Sequence, residues 1–214
     1  MMKLLVEGVC KSYDGHAVLR GASFAADAGQ IVCFMAPSGG GKTTLLRILM
    51  GLERPDAGSV KFTDLDANSA PERFPLTFRG NITTAERVRW SAAFQEDRLL
   101  LGRDAHSNLR FALGRAYDER KASELLEALG LGGVGTRPAR EYSGGMRRRL
   151  ALIRALLAPS DALALDEPLT GTDPEIRRRC LDAIRTYSAG RIALLATHEL
   201  SDAITLDAKI IRLS

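Results

Sequence analysis

Two stretches of this chain carry residue types suited to phosphate chemistry. The first, Ala36-Pro37-Ser38-Gly39-Gly40-Gly41-Lys42-Thr43-Thr44, lies between an apolar run at residues 30–35 and a helix-like run at residues 45–52. A strand, a glycine-rich turn and a helix in that order form an anion cradle, because backbone N–H groups point inward and the helix presents its positive end. Lys42 is then placed to reach the terminal phosphates as a point charge, and the Thr43 hydroxyl to ligate Mg²⁺. The pattern G-x-x-x-x-G-K-[ST] is broken once, since Ala36 stands where its first glycine belongs. Pro37 favours extended dihedrals at Ala36, which suits a residue leaving a strand. Taken alone, a glycine-rich turn without a ligand also explains the stretch.

The second stretch ends in acids. Ala162-Leu163-Ala164-Leu165 runs directly into Asp166 and Glu167. Adjacent carboxylates at the carboxyl end of a strand are costly to bury unless a cation or a reaction occupies them. In an open α/β sheet that edge is where ligands bind. Asp166 would orient Mg²⁺ through water, and Glu167 would polarise an attacking water as general base. Tyr142-Ser143-Gly144-Gly145-Met146 opens a helix-like run at residues 147–157, so a serine and two glycines offer a second anion site. A plain helix cap explains the same residues. His198 follows the apolar run 191–197 at the same type of edge as Glu167, although a lone histidine there is commonly structural.

These side chains need a scaffold, and the remaining pattern supplies one. Residues 3–9 and 19–26 read as antiparallel strands around Tyr13-Asp14-Gly15-His16, where Tyr13 suits either stacking on a purine or a half-buried place in a hairpin. Pro55-Asp56-Ala57-Gly58 signals a turn before a strand at 59–63. Residues 64–81 read as an irregular loop or insertion, 82–88 as a short helix, and 89–94 as an apolar strand ending at Gln95. From 96 to 140, Leu109, Leu113, Leu125, Leu126 and Leu129 recur at helical spacing. A basic helix at 175–187 and a last strand at 208–213 complete the chain. The expected fold is α/β: a core with a parallel sheet (1–95 and 158–214), an N-terminal antiparallel β subdomain, and an α-helical subdomain inserted at about 96–157.

At 214 residues the chain is one domain, with 45% hydrophobic and 26% charged residues as in ordinary soluble proteins. No apolar run approaches the roughly 20 residues that span a bilayer. The apolar start at residues 1–5 meets Glu7 without a cleavage site, which argues against a secretory signal. Three cysteines, Cys10, Cys33 and Cys180, lack metal-ligand spacing and read as small core residues in a reducing compartment. Net charge is +4, with clusters at Arg147-Arg148-Arg149 and Arg177-Arg178-Arg179. No aromatic residues interleave with them to stack bases, so they read as solvated helix faces and nucleic acid is not an expected partner.

End to end, the residues resemble the nucleotide-binding subunit of an ABC transporter, whose core is a P-loop NTPase. The Walker A-like Ala36 to Thr44, Gln95 in Phe94-Gln95-Glu96, Ser143-Gly144-Gly145-Met146, the Walker B-like Leu163 to Glu167, Asp173 and His198 occur in that family's order. The spacings fit as well: 143 − 42 = 101, 166 − 143 = 23 and 198 − 167 = 31 residues. One such motif is weak, whereas six in order are specific.

The resemblance implies ATP and Mg²⁺ as ligands and a head-to-tail dimer, of two copies or with a paralogous ATPase. Each ATP then touches Ser38, Gly39, Gly40, Gly41, Lys42, Thr43 and Thr44 of one chain and Ser143, Gly144 and Gly145 of the other. By the same resemblance Tyr13 stacks on adenine, and Gln95 senses Mg²⁺ and the attacking water while its loop contacts a membrane subunit. Thr43, Gln95 and Asp166 serve the metal, Asp173 joins the protomers, and His198 holds the γ-phosphate and supports Glu167. Hydrolysis would power solute transport, import by its pattern, through separate transmembrane permease subunits, with a solute-binding protein in the complex. The chain would be cytoplasmic and peripheral on the inner face of the cell membrane.

Residues 94–113 match the pattern of nitrate, sulfonate and taurine importers, including Asn108 and Phe111, with Leu101-Gly102 where those carry Pro-Trp. Tyr142, Met146 and Thr172 also depart from the commoner residues, and 64–81 is longer than usual. A second reading is a soluble ABC-type ATPase acting on nucleic acid or ribosomes through its arginines. Such relatives usually carry a coiled-coil insertion or a second cassette, and this chain has neither. A third, a regulator that binds ATP without hydrolysing it, fits poorly with Glu167 and His198 together.

Overall fold

A computed structural model describes residues 1–63 and 88–213. The chain opens as a hairpin of β1 (Lys3–Tyr13) and β2 (His16–Asp27), followed by β3 (Ile31–Met35) and α1 (Lys42–Leu49). Next, β4 (Ala57–Thr63) returns to the free edge of β1, giving an antiparallel sheet of order β2-β1-β4. Leu4, Val6, Val9, Val60 and Phe62 are buried on one face of it, as expected of an antiparallel sheet with one wet side. Both hairpin strands run further than the hydrophobic pattern indicates. Lys11 to Tyr13 pair with Leu19, Ala17 and His16 through the backbone ladder alone, which leaves no apolar alternation to read.

The second sheet holds β5 (Trp90–Ala93), β6 (Ala162–Asp166), β7 (Ile192–Ala196) and β8 (Lys209–Arg212) with β3, in the order β5-β6-β7-β3-β8. All its pairings are parallel. Its three central strands are apolar up to the Asp166 that ends β6, because both faces are covered. Val32, Phe34, Ala164 and Leu194 face a core shared with α1 and the antiparallel sheet. Cys33, Leu163, Leu165 and Leu195 face the opposite core, beneath the remaining helices. Burial pushes the thiols of Cys33 and Cys180 up to about 12 and about 11, so both are neutral core residues, while Cys10 is half-buried.

Between β5 and β6 run α2 (Ala105–Leu113), α3 (Glu119–Ala128) and α4 (Gly144–Leu157). Asp104, Asp118 and Ser143 accept backbone N–H bonds at their N-termini, which fixes where each helix begins. Leu109, Leu113, Leu125, Leu126 and Leu129 bury together, as their spacing predicts, and Leu150 of α4 joins them. After β6 come α5 (Pro174–Tyr187), capped by Asp173, and the short α6 (Leu200–Thr205) between β7 and β8. The expected loop at 64–81 and most of the expected helix at 82–88 lie outside the described residues. Among the described residues no helix is long and apolar enough to cross a membrane.

The basic clusters are solvated faces only in part. Arg147 donates to the Tyr142 carbonyl (2.9 Å), Arg148 to that of Gln95 (3.0 Å), and Arg154 to those of Arg98 and Asp97 (2.7 and 3.0 Å). Arg177 forks onto buried Asp202. Of the two runs, Arg178 and Arg179 behave as expected, making exposed pairs one helical turn away.

Candidate functional site

The carboxyl ends of β3, β5, β6 and β7 open on one side of the parallel sheet, and the expected chemistry collects there. A cleft of ≈ 530 Å³ is lined by Ser38 to Thr44 together with Gln95, Asp166, Glu167 and His198. Such a volume is typical of small-molecule sites. Arg148 and Thr170 also line it, and neither was marked by its sequence position.

The loop between β3 and α1 is shaped by what its glycines exclude. Gly41 has φ 82°, and a Cβ there would stand 2.7 Å from the Val18 carbonyl oxygen and from Leu19 Cδ2 of the hairpin. At Gly40 a Cβ would meet the Ala36 methyl at 2.6 Å and the Pro37 carbonyl oxygen at 3.0 Å. The residue that departs from the motif therefore packs against the loop's own glycine. Lys42, nearly buried, donates to the carbonyls of Ala36 (2.8 Å) and Pro37 (3.4 Å), and its Nζ lies 3.5 Å from Glu167 Oε1.

Thr43 Oγ1 donates to Asp166 Oδ2 at 2.6 Å, joining α1 to the end of β6. Burial pushes the Asp166 carboxyl above its ordinary range; the Glu167 charge adds to that and the Thr43 hydroxyl opposes it. Glu167 has φ 49°, a conformation that strains a residue with a side chain and that persists where surrounding structure enforces it. Here its N–H donates to the Ala196 carbonyl of β7 (2.9 Å). Its Oε2 lies 2.9 Å from His198 Nδ1 and accepts from Thr170 Oγ1 at 3.4 Å.

Among the described residues no three His, Cys, Asp or Glu side chains gather closely enough to hold a metal by themselves. Thr43 and Asp166 offer two oxygens side by side, which fits a Mg²⁺ ion that keeps several waters and takes its other ligands from phosphates.

Other expected residues lie elsewhere. Tyr13 is at the hairpin tip, 42% exposed, its hydroxyl donating to Glu53 and its ring 5.4 Å from Lys11 Nζ; it does not line the cleft. Ser143 accepts from the Met146 N–H (3.2 Å) as the cap of α4, and neither it nor Gly144 or Gly145 lines the cleft of its own chain. Asp173 caps α5 through the Ile176 N–H (3.0 Å). The unusual residues of these segments have local duties. The Tyr142 hydroxyl donates to the Val134 carbonyl within the core, and Thr172 Oγ1 donates to that of Leu169, closing the turn after Glu167.

A family model described as ABC transporter matches residues 19–170. The chain is 38% identical over 211 residues to an aliphatic sulfonates import ATP-binding protein of Rhizobium johnstonii, covering 95% of this chain and 70% of that protein. It is also 36% identical over 206 residues to a Nod factor export ATP-binding protein of Ralstonia nicotianae, covering 94% of this chain and 60% of the relative. In fold it superimposes with a TM-score of 0.78 on the dimeric post-hydrolysis state of an ATP-binding cassette bound to ADP and Pi, at 22% identity, over 99% of this chain and 94% of that one. With the family match reaching from the hairpin past the paired acids of β6, and the relatives spanning nearly every described element, this chain belongs to the ABC transporter family.

Proposed function

We propose that the chain binds ATP with Mg²⁺ and hydrolyses it to drive a solute through separate membrane subunits. The observation that carries this reading is the meeting of Lys42, Thr43, Asp166, Glu167 and His198 in one cleft, with Thr43 on Asp166 and His198 on Glu167. Loop amides and Lys42 bind the β- and γ-phosphates, and Thr43, Asp166 and Gln95 would hold a Mg²⁺ ion, which would offset phosphate charge. Glu167 takes a proton from water as its oxygen bonds to the γ-phosphorus; the bond to the bridging oxygen breaks and ADP leaves with that electron pair. His198 orients Glu167 and the transferred phosphate.

The position of Ser143, Gly144 and Gly145 outside their own cleft supports a head-to-tail dimer, in which a second chain supplies those amides and Asp173 joins the protomers. Tyr13 serves as the adenine platform. Residues of about 96–157 act as the helical part of the cassette, and their outer surface supports docking to membrane subunits. Phe111 is 76% exposed and Leu101 52%, and Leu100 is 40% exposed, which leaves apolar surface open to solvent on this part of the chain. Relatives include both import and export proteins. We assign import, fed by a solute-binding protein, on the sulfonate-type pattern at residues 94–113, with the chain peripheral on the cytoplasmic face of the membrane. Internal use of Arg147, Arg148, Arg154 and Arg177 weakens the nucleic-acid alternative.

The test is Glu167→Gln. Loss of the base lowers steady-state phosphate release by about 10² or more while ATP binding persists. Hydrolysis within a few-fold of the parent overturns the assignment. Copurification of the native complex tests the partner: a polytopic membrane protein is expected, and Phe111→Asp releases it without lowering basal hydrolysis.

A further inference from the structure

We propose that Arg177 and Asp202 are positioning residues for the Glu167–His198 pair, acting from outside the cleft; this rests on the reading of that pair as hydrolytic. His198 needs such support because its side chain is 54% exposed. Among the described residues the polar partners of its ring are the carboxylates of Glu167 (2.9 Å) and Glu199 (3.4 Å), both of them side chains that need placing in their turn. Its placement therefore depends strongly on the backbone on either side.

Asp202 supplies that control. It is 1% exposed and sits at the start of α6. Thr197 Oγ1 donates to Asp202 Oδ2 (3.3 Å) and accepts from the Glu199 N–H (3.1 Å), so both neighbours of His198 are tied to one buried carboxylate. Arg177 of α5 meets that carboxylate with a two-pronged fork, Nε to Oδ1 and Nη2 to Oδ2, both at 2.7 Å. Its third nitrogen, Nη1, donates to the Leu169 carbonyl (3.3 Å), two residues beyond Glu167. Thr172 Oγ1 donates to the same carbonyl at 2.7 Å. One guanidinium thus spans the loop that carries Glu167 and the loop that carries His198.

Geometry makes the pair suited to this. A planar fork on a carboxylate fixes angle as well as distance, which a lysine cannot do. Catalytic groups must be held within about half an ångström of their productive geometry. A buried pair is poor evidence for stability but a good registry device. Because Arg177 and Asp173 share the first turn of α5, through the Arg177 N–H on the Asp173 carbonyl (2.8 Å), displacement at Asp173 reaches both loops together.

Four proteins test this: the parent, Asp202→Asn, His198→Ala and the double variant, each assayed for kcat and KM for ATP. Asp202→Asn is expected to lower kcat more than about threefold with KM changed less than that, and to have less than that effect on kcat when His198 is already alanine. A loss of kcat below about threefold, a larger change in KM, or an equal loss in both backgrounds overturns the proposal, since a merely structural lesion acts regardless of His198. His198→Ala at the parental rate refutes the hydrolytic pair itself and the positioning role with it. If Asp202→Asn does not fold, Thr197→Val and Arg177→Lys replace it in the same cycle. Parental kcat in both of those also overturns the proposal.

Discussion

Gly40→Ala offers a quantitative test of how this chain tolerates Ala36 where its motif has glycine. Gly40 does not need a left-handed backbone; what excludes a side chain is space. The new methyl would stand 2.6 Å from the Ala36 Cβ and 3.0 Å from the Pro37 carbonyl oxygen. Carbon pairs rest at about 3.5–4.0 Å, so the turn must open by roughly 1 Å. Overpacking of that kind costs about 1–3 kcal/mol. On the proposal that the amides of this loop receive the phosphates, ATP affinity should fall about 5- to 150-fold. Ala36→Gly alone removes only a methyl and should change affinity by less than about tenfold, or 1.4 kcal/mol. In the double variant the carbon clash is gone while the Pro37 oxygen remains close, so most but not all of the loss returns, a coupling of about 1 kcal/mol or more. Calorimetric titration with ATP in the Glu167→Gln background keeps the nucleotide intact, and a parallel thermal melt reports the folded fraction. Parental affinity in Gly40→Ala, or a double variant as weak as Gly40→Ala, would refute the packing argument.

Two further perturbations address the acid pair and the helical region. Asp166 is held above its ordinary pKa chiefly by burial, so the native chain keeps a proton that the unfolded chain has lost. Stability therefore falls as pH rises from the ordinary carboxylate range through the raised folded value and stays lower at neutral pH. Asp166→Asn should raise the melting temperature of the nucleotide-free protein at neutral pH, with a gain that shrinks on acidification, while Mg²⁺-dependent hydrolysis is lost; an unchanged or lower melting temperature at pH 7 sinks the idea. Asn108 is 3% exposed, accepts from the Leu100 N–H and donates to the carbonyls of Leu100, Arg103 and Asp104. Asn108→Ala orphans a buried N–H and several carbonyls, costing about 2–4 kcal/mol, or a drop of roughly 4–16 °C in melting temperature. A change under about 2 °C would show that the loop at residues 100–104 holds its shape without it.

Much of the core was legible because two-sided burial leaves a strong imprint. The unbroken apolar runs behind Met35, Asp166 and Thr197 have one physical cause, a parallel sheet covered on both faces, and each run leads within three residues to one that lines the cleft: Ser38, Asp166 and His198. The leucines of α2 and α3 and the cap at Ser143 are equally local signals, whereas the caps Asp104 and Asp118 were not picked out. The outer half of the hairpin was underestimated because its backbone pairing continues where side chains turn polar. The short α6, at six residues, is less than two helical turns and leaves no period to detect. Strand order in the parallel sheet, with β3 between β7 and β8, is a long-range property carried by no single segment.

The arginines mark the limit of local reading most clearly. In sequence, Arg147-Arg148-Arg149 and Arg177-Arg178-Arg179 are alike: three cations on a helix without aromatic neighbours. What separates Arg177 from Arg178 is a partner 25 positions away, buried Asp202, whereas Arg178 finds Asp182 one turn along the same helix. Arg148 and Arg154 reach carbonyls 53 to 57 positions back, at Gln95, Asp97 and Arg98, where carbonyl oxygens have no signature in the sequence. Their common effect is directional. The helix that begins at Ser143 grips the loop that contains Gln95, and the helix that begins at Asp173 grips α6, the short helix that follows His198. If Ser143 and Asp173 meet a second chain, that contact acts on Gln95 and on the segment beside His198, two residues of one cleft, through guanidinium groups that solvent was expected to hold.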